Sequence, residues 1–153
     1  MNKEKSIDVL NTLIKINNDR IEGYQTATNE TNEQDLKELF SQLSITSELF
    51  KSELNEEVNI LGGTPAQGTK LSGKFFRVWM DIKTSIAGKD LHSILTLCEH
   101  GEDAAIDTYN EVLENESENL TIGQLLMIKK QYFLLKADHD KVKALRDNLV
   151  EHK

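Results

Sequence analysis

Glu102 stands in the middle of an apolar stripe. Read as a helix, the stretch from Leu91 to Val112 puts Leu91, Leu95, Cys98, Glu102, Ala105, Tyr109 and Val112 on one seam, with steps alternating four and three. Cys98 behaves there as a small hydrophobe, which leaves Glu102 as the carboxylate on a core-facing line. A charge in that position is costly unless something pairs with it or a metal binds it. Two kinds of chemistry are therefore open to it: metal ligation, or a buried hydrogen-bond network.

Three further helical seams bear on the choice. A first helix, about Glu4 to Asn29, aligns Ile7, Leu10, Ile14, Asn17, Ile21, Tyr24 and Thr28, with Leu13 widening the apolar face. A second, about Glu33 to Leu61, aligns Leu36, Phe40, Leu43, Ser47, Phe50, Leu54, Glu57 and Leu61. The helix of Glu102, about Leu91 to Glu114, is the third. A fourth, about Ile122 to Val150, aligns Leu125, Ile128, Tyr132, Leu135, His139, Val142, Arg146 and Leu149. Each seam holds one polar residue near its midpoint: Asn17, Ser47, Glu102 and His139. Packed side by side, such helices are expected to share a buried polar layer in which Glu102 meets His139.

In one account Glu102 and His139 ligate iron or manganese, as in bundle-core metal sites. In the other, Glu102 accepts a hydrogen bond from His139 while Asn17 and Ser47 saturate the remaining groups. A carboxylate-bridged di-metal centre wants a Glu on each of two helices and Glu-x-x-His on each of the others. This chain offers Ser47-x-x-Phe50 and Lys136-x-x-His139, and Lys136 brings a positive charge toward a dication. A metal set therefore needs Glu22, Glu99 or Asp138 to lean in from the flanks. The spacing favours the structural network, with the metal site as its rival.

The breaks between helices are well marked. Thr31 with Gln34, and Thr121 with Gln124, read as capping boxes. Gly62-Gly63-Thr64-Pro65 stops the second helix, because glycine supplies a left-handed cap and proline prevents resumption. From Ala66 to Gly88 a long connection is expected to carry its own short helix, Ser72 to Ala87, with Phe75, Phe76, Trp79, Ile82 and Ile86 on its apolar face. A connection of that length can run back along the bundle, the single-crossover arrangement of ferritin-like folds. Phe75, Phe76 and Trp79 could line a ligand pocket or a dimer face, or simply cover one side of the bundle. Gly88 ends this short helix and Asp90 is a good cap for the third long one. His92 and His100 fall off the seam, and no His on the same helix is placed to activate Cys98 as a nucleophile.

Composition narrows the classes further. The 153 residues suit one domain spanning 1–153, and a net charge of -8 argues against nucleic-acid and anionic-membrane partners. The single cysteine permits no internal disulfide and suits a reducing, cytoplasmic setting. The N-terminal residues run into an amphipathic pattern instead of the apolar core of a signal peptide. No window approaches the roughly 18 apolar residues of a membrane span. Phosphate loops, dinucleotide fingerprints, zinc-knuckle spacings and serine-nucleophile motifs are all missing.

Leu13–Tyr24 (LIKINNDRIEGY), Leu61–Pro65 (LGGTP), Leu71–Gly73 (LSG) with Trp79–Lys83 (WMDIK), Cys98–Ala105 (CEHGEDAA) and Asp138–Asp147 (DHDKVKALRD) together resemble a bacterial four-helix-bundle family of the ferritin-like group, known as a domain of unknown function. The resemblance covers essentially the whole chain. It implies a ferritin-like bundle and brings no assigned activity. Against ferritin-like di-iron proteins, the first-helix Glu followed seven residues later by Tyr falls on Asn17 and Tyr24, so that carboxylate is missing. The third-helix Glu falls on Glu102, and the fourth-helix His falls on His139 without its preceding Glu. These departures count against ferroxidase or peroxidase activity.

The expectation is an all-α, ferritin-like four-helix bundle with a long second-to-third-helix crossover carrying a short helix. The favoured function is non-enzymatic: a structural, stress-related or interaction module that retains a degenerate mid-bundle metal site, binds no cofactor and forms a homodimer. A metal-binding oxidase or storage protein using Glu102, His139, Glu22 and Glu99 with iron or manganese is the first alternative. A small-molecule binder beneath the crossover helix, near Trp79, is the second.

Overall fold

The computed structural model describes residues 2–69 and 91–151. Four long helices, α1 (Lys3–Glu30), α2 (Gln34–Ile60), α3 (Leu91–Asn115) and α4 (Ile122–Glu151), form an all-α four-helix bundle, with a 3-10 turn at Ser117–Asn119. The helices lie where the apolar periodicity places them. The expected short helix over 72–87, with Phe75, Phe76 and Trp79, lies outside the described residues.

Helix ends follow local chemistry. The Asn2 side chain caps α1 by accepting from Lys5 N at 3.2 Å. At the start of α4, Gln124 N donates to Thr121 Oγ1 and Thr121 N donates to Gln124 Oε1, both at 3.0 Å, so that capping box forms as expected. The box expected at Thr31 and Gln34 does not form. Thr31 Oγ1 instead accepts from Glu33 N at 3.1 Å, and α2 begins only at Gln34. The chain uses Asn32 and Glu33 to cross from α1 to α2, so Thr31 lies too early to cap. Gly62 ends α2 at φ +81°, with Gly63 N donating to Val58 O and Gly62 N to Asn59 O. These two bonds close a Schellman cap, which requires a left-handed residue.

Side-chain contacts give the helix directions. Ser6 near the start of α1 donates to the Asn119 carbonyl beyond α3, while Tyr24 near the end of α1 reaches Glu102, so α1 and α3 are antiparallel. Gln131 bonds the Phe50 carbonyl, and Lys141 bonds Gln42, so α2 and α4 are antiparallel too. Since α1 also opposes α2 across a three-residue link, α2 and α3 run the same way. The end of α2 and the start of α3 therefore lie at opposite ends of the bundle. The chain beyond α2 first follows α1: Gly63 lies against Ile7, Asn11 bonds Thr64 O and Ala66 N, and Asn18 bonds Gly68 O at 2.8 Å.

The apolar core is divided. One cluster gathers the first half of α1, the second half of α2, the second half of α3 and the start of α4, around Leu10, Leu54, Tyr109 and Ile128. The other gathers the opposite ends around Tyr24, Phe40, Leu95 and Val142. Between them lies a layer of buried polar side chains.

Candidate functional site

Arg20 of α1 is the centre of that layer and is 1% exposed. Its Nη1 donates to Ser47 Oγ of α2 at 2.6 Å, and its Nη2 donates to Glu102 Oε1 of α3 at 2.7 Å. Asp138 of α4 approaches Nη2 at 3.4 Å, so the guanidinium is addressed from all three neighbouring helices. Tyr24, one turn further along α1, donates its hydroxyl to the same Glu102 oxygen at 2.5 Å, and the Arg20 guanidinium lies 5.8 Å from its ring centre.

The network continues toward the other core cluster. Ser47 Oγ donates to Asn17 Oδ1 at 2.8 Å, and Asn17 Nδ2 donates to Leu13 O and to the Tyr109 hydroxyl. Tyr109 in turn donates to Gln131 Oε1 at 2.7 Å. Six side chains from four helices are thus joined in one chain of bonds from Glu102 to Gln131, with Tyr24 branching from Glu102. Arg20 Nε and Glu102 Oε2 are buried with no hydrogen-bond partner among the described residues.

Electrostatics follow from this burial. Loss of water pushes the Glu102 carboxyl above the usual carboxylate range, opposed by the Arg20 guanidinium and the Tyr24 hydroxyl. Burial alone would make Arg20 easier to deprotonate, but Glu102, Tyr24 and Asp138 together more than offset it and the side chain stays a cation. Burial also raises Tyr24, Tyr109 and the Cys98 thiol, so none of these is an activated nucleophile at neutral pH.

Of the four polar residues expected to share a layer, Asn17, Ser47 and Glu102 do so. His139 does not, and the expected Glu102–His139 pairing is corrected. Glu102 is engaged by Arg20 and Tyr24, whereas His139 Nε2 faces Asp103 at 3.0 Å and Glu99 at 3.4 Å, and its Nδ1 lies 3.1 Å from Asp140. The reason is geometric. From Leu135 the core line of α4 steps by three to Asp138 and then by four to Val142; the step by four to His139 leads toward α3's outer flank. Arg20 went unread for a related reason. Leu13, Asn17, Arg20, Tyr24 and Ala27 form an equally regular stripe that shares Asn17 and Tyr24 with the seam through Ile21. Both stripes are buried, because every residue from Leu13 to Tyr24 except Lys15 and Glu22 is shielded from solvent.

The proposed metal set is split as well. Glu22 is exposed, Glu102 belongs to the buried layer, and Glu99 and His139 meet elsewhere with Asp103, their donor atoms lying within 4.8 Å of one another. This carboxylate–imidazole set is partly exposed, and Arg146 already pairs with Glu99. The mid-bundle layer does not suit a di-metal centre: a fixed guanidinium stands among the oxygen donors a dication would need.

Among the described residues no helix is long and apolar enough to cross a membrane. No curated protein matches the chain. A family model described as a domain of unknown function, DUF2383, matches residues 5–115, which hold α1 to α3 and with them Asn17, Arg20, Tyr24, Ser47, Glu102 and Tyr109; the chain belongs to that family.

Proposed function

We propose that this chain is a non-enzymatic, ferritin-like bundle protein, a structural or interaction module in which a guanidinium has taken the place of a mid-bundle metal. The observation that carries this reading is the fully buried Arg20, bonded to Glu102 at the level where bundle metal sites hold their cation. An arginine cannot release its charge near neutral pH, so it neutralises the buried carboxylate permanently, and no exchangeable cation is needed for folding. A stress-related role belongs to this reading only through the ferritin-like fold group. A cytoplasmic setting agrees with the single buried thiol.

The test is metal analysis and ferrous-ion oxidation on protein purified without an affinity tag. The expected result is no stoichiometric iron or manganese and no oxidation above the buffer rate. One equivalent of metal lost on Glu102→Gln would overturn the proposal.

A second reading, a metal-binding protein, is favoured by the Glu99–Asp103–His139 set. It predicts an equivalent of divalent metal that survives Glu102→Gln and is lost on His139→Ala. The two variants therefore separate the readings.

A further inference from the structure

Among the described residues, the large apolar side chains left in solvent are concentrated on two helices. Ile45, Leu49 and Ile60 of α2 and Ile122, Leu126 and Phe133 of α4 are each more than half exposed, whereas no large apolar side chain of α1 is. Ile45 and Leu49 lie two residues either side of buried Ser47, and Leu126 and Phe133 lie two before buried Ile128 and Leu135. Two helical residues turn about 200°, so these side chains point away from the core on the outer face of the α2–α4 pair. The contacts of Gln131 with Phe50 and of Lys141 with Gln42 set the register, which levels Leu49 with Phe133 and Ile60 with Ile122.

Around Leu49, Ile60, Ile122 and Phe133 the charge is divided by helix, with exposed Glu53 and Glu56 on α2 and exposed Lys129 and Lys130 on α4. The exposed acids Asp140 and Asp147 of α4 lie beyond this stretch, level with the start of α2. We propose that a second copy of this chain packs on the α2–α4 face, about a two-fold axis parallel to the bundle. Rotation about that axis lays α2 over the partner's α4 at the same level. Leu49 then meets the partner's Phe133, Ile60 meets the partner's Ile122, and Glu53 meets the partner's Lys129 and Lys130. A two-fold axis across the helices would instead stack α2 on α2 and α4 on α4, like charge on like charge. The area is sufficient: two helices about 40 Å long and together about 20 Å wide present about 800 Å² per copy, the standard size of a stable interface. The surface is separate from the mid-bundle network, so this proposal and the one above fail independently.

Sedimentation equilibrium on the full chain tests it. The expected species has twice the 17.4 kDa chain mass. Phe133→Glu, with helicity checked by circular dichroism, weakens the dimer by about thirtyfold or more, as for a central aromatic anchor. Glu53→Lys weakens it less, and adding Lys130→Glu to the same chain restores it. Under oxidation, a mixture of Leu49→Cys and Phe133→Cys chains forms a crosslink that Leu49→Cys chains alone do not. A monomer at concentrations up to about 100 µM, a dimer indifferent to Phe133→Glu, or self-crosslinking through Leu49→Cys would each overturn the proposal.

Discussion

Arg20 and Glu102 depend on each other, because each is a buried charge whose closest opposite charge is the other. Replacing Arg20 by Met keeps the volume but leaves the carboxylate uncompensated, and the expected loss is about 3–5 kcal/mol. The double variant Arg20→Met with Glu102→Gln removes both charges and should recover most of that loss in denaturant unfolding. If the double variant is no better than the single one, the ion pair is not what the layer depends on. The pH dependence has a definite sign. A group whose folded pKa is raised contributes stability that is complete below its unfolded pKa and is lost as pH rises through the folded one. Glu102 is such a group, and Arg20 is what limits its shift. The stability gap between the natural chain and Arg20→Met should therefore widen as pH rises above the unfolded carboxylate range. His139 is a smaller matter. Its partners are partly exposed carboxylates, so His139→Ala should lower stability by no more than about 1 kcal/mol.

At the scale of elements, the caps decide where helices begin and end. Thr121→Ala removes one half of a formed capping box and should cost about 1 kcal/mol, whereas Thr31→Ala leaves the α2 terminus unchanged because Thr31 does not cap it. Gly62→Ala should cost about 1 kcal/mol for the positive φ alone. Gly63 is held by a different constraint: an added Cβ would lie 2.9 Å from Ile7 side-chain atoms. Thermal melts of Gly63→Ala with and without Ile7→Ala separate the causes. The paired variant should recover stability if crowding is responsible. The helices themselves were legible because three-four periodicity is strong over segments this long. The α2 cap was not, because both Thr31 and the residues after it carry plausible capping chemistry, and only the span of the link chooses between them.

At the scale of the molecule, α1 is the helix around which the others close. It packs on α2 and α3 and is followed along part of its length by the returning connection. Amides from 13 to 24 should exchange hydrogen most slowly of the chain, since opening them exposes both the polar layer and the two apolar clusters it joins. Exchange there as fast as in the second half of α4 would contradict this arrangement.

The four amphipathic rods, their breaks, and the burial of Asn17, Ser47 and Glu102 at a common level are legible in the residues alone. Those follow from local periodicity and from the cost of exposing apolar stripes. Which cation answers Glu102 was left to the tertiary structure. A helix of 3.6 residues per turn lets a seam step by three or by four, and both lines through α1 and through α4 are equally regular. Only the packing of neighbours around α1 buries Arg20, and only the packing of α4 against α1 and α3 brings Asp138 to Arg20 and His139 to Glu99 and Asp103.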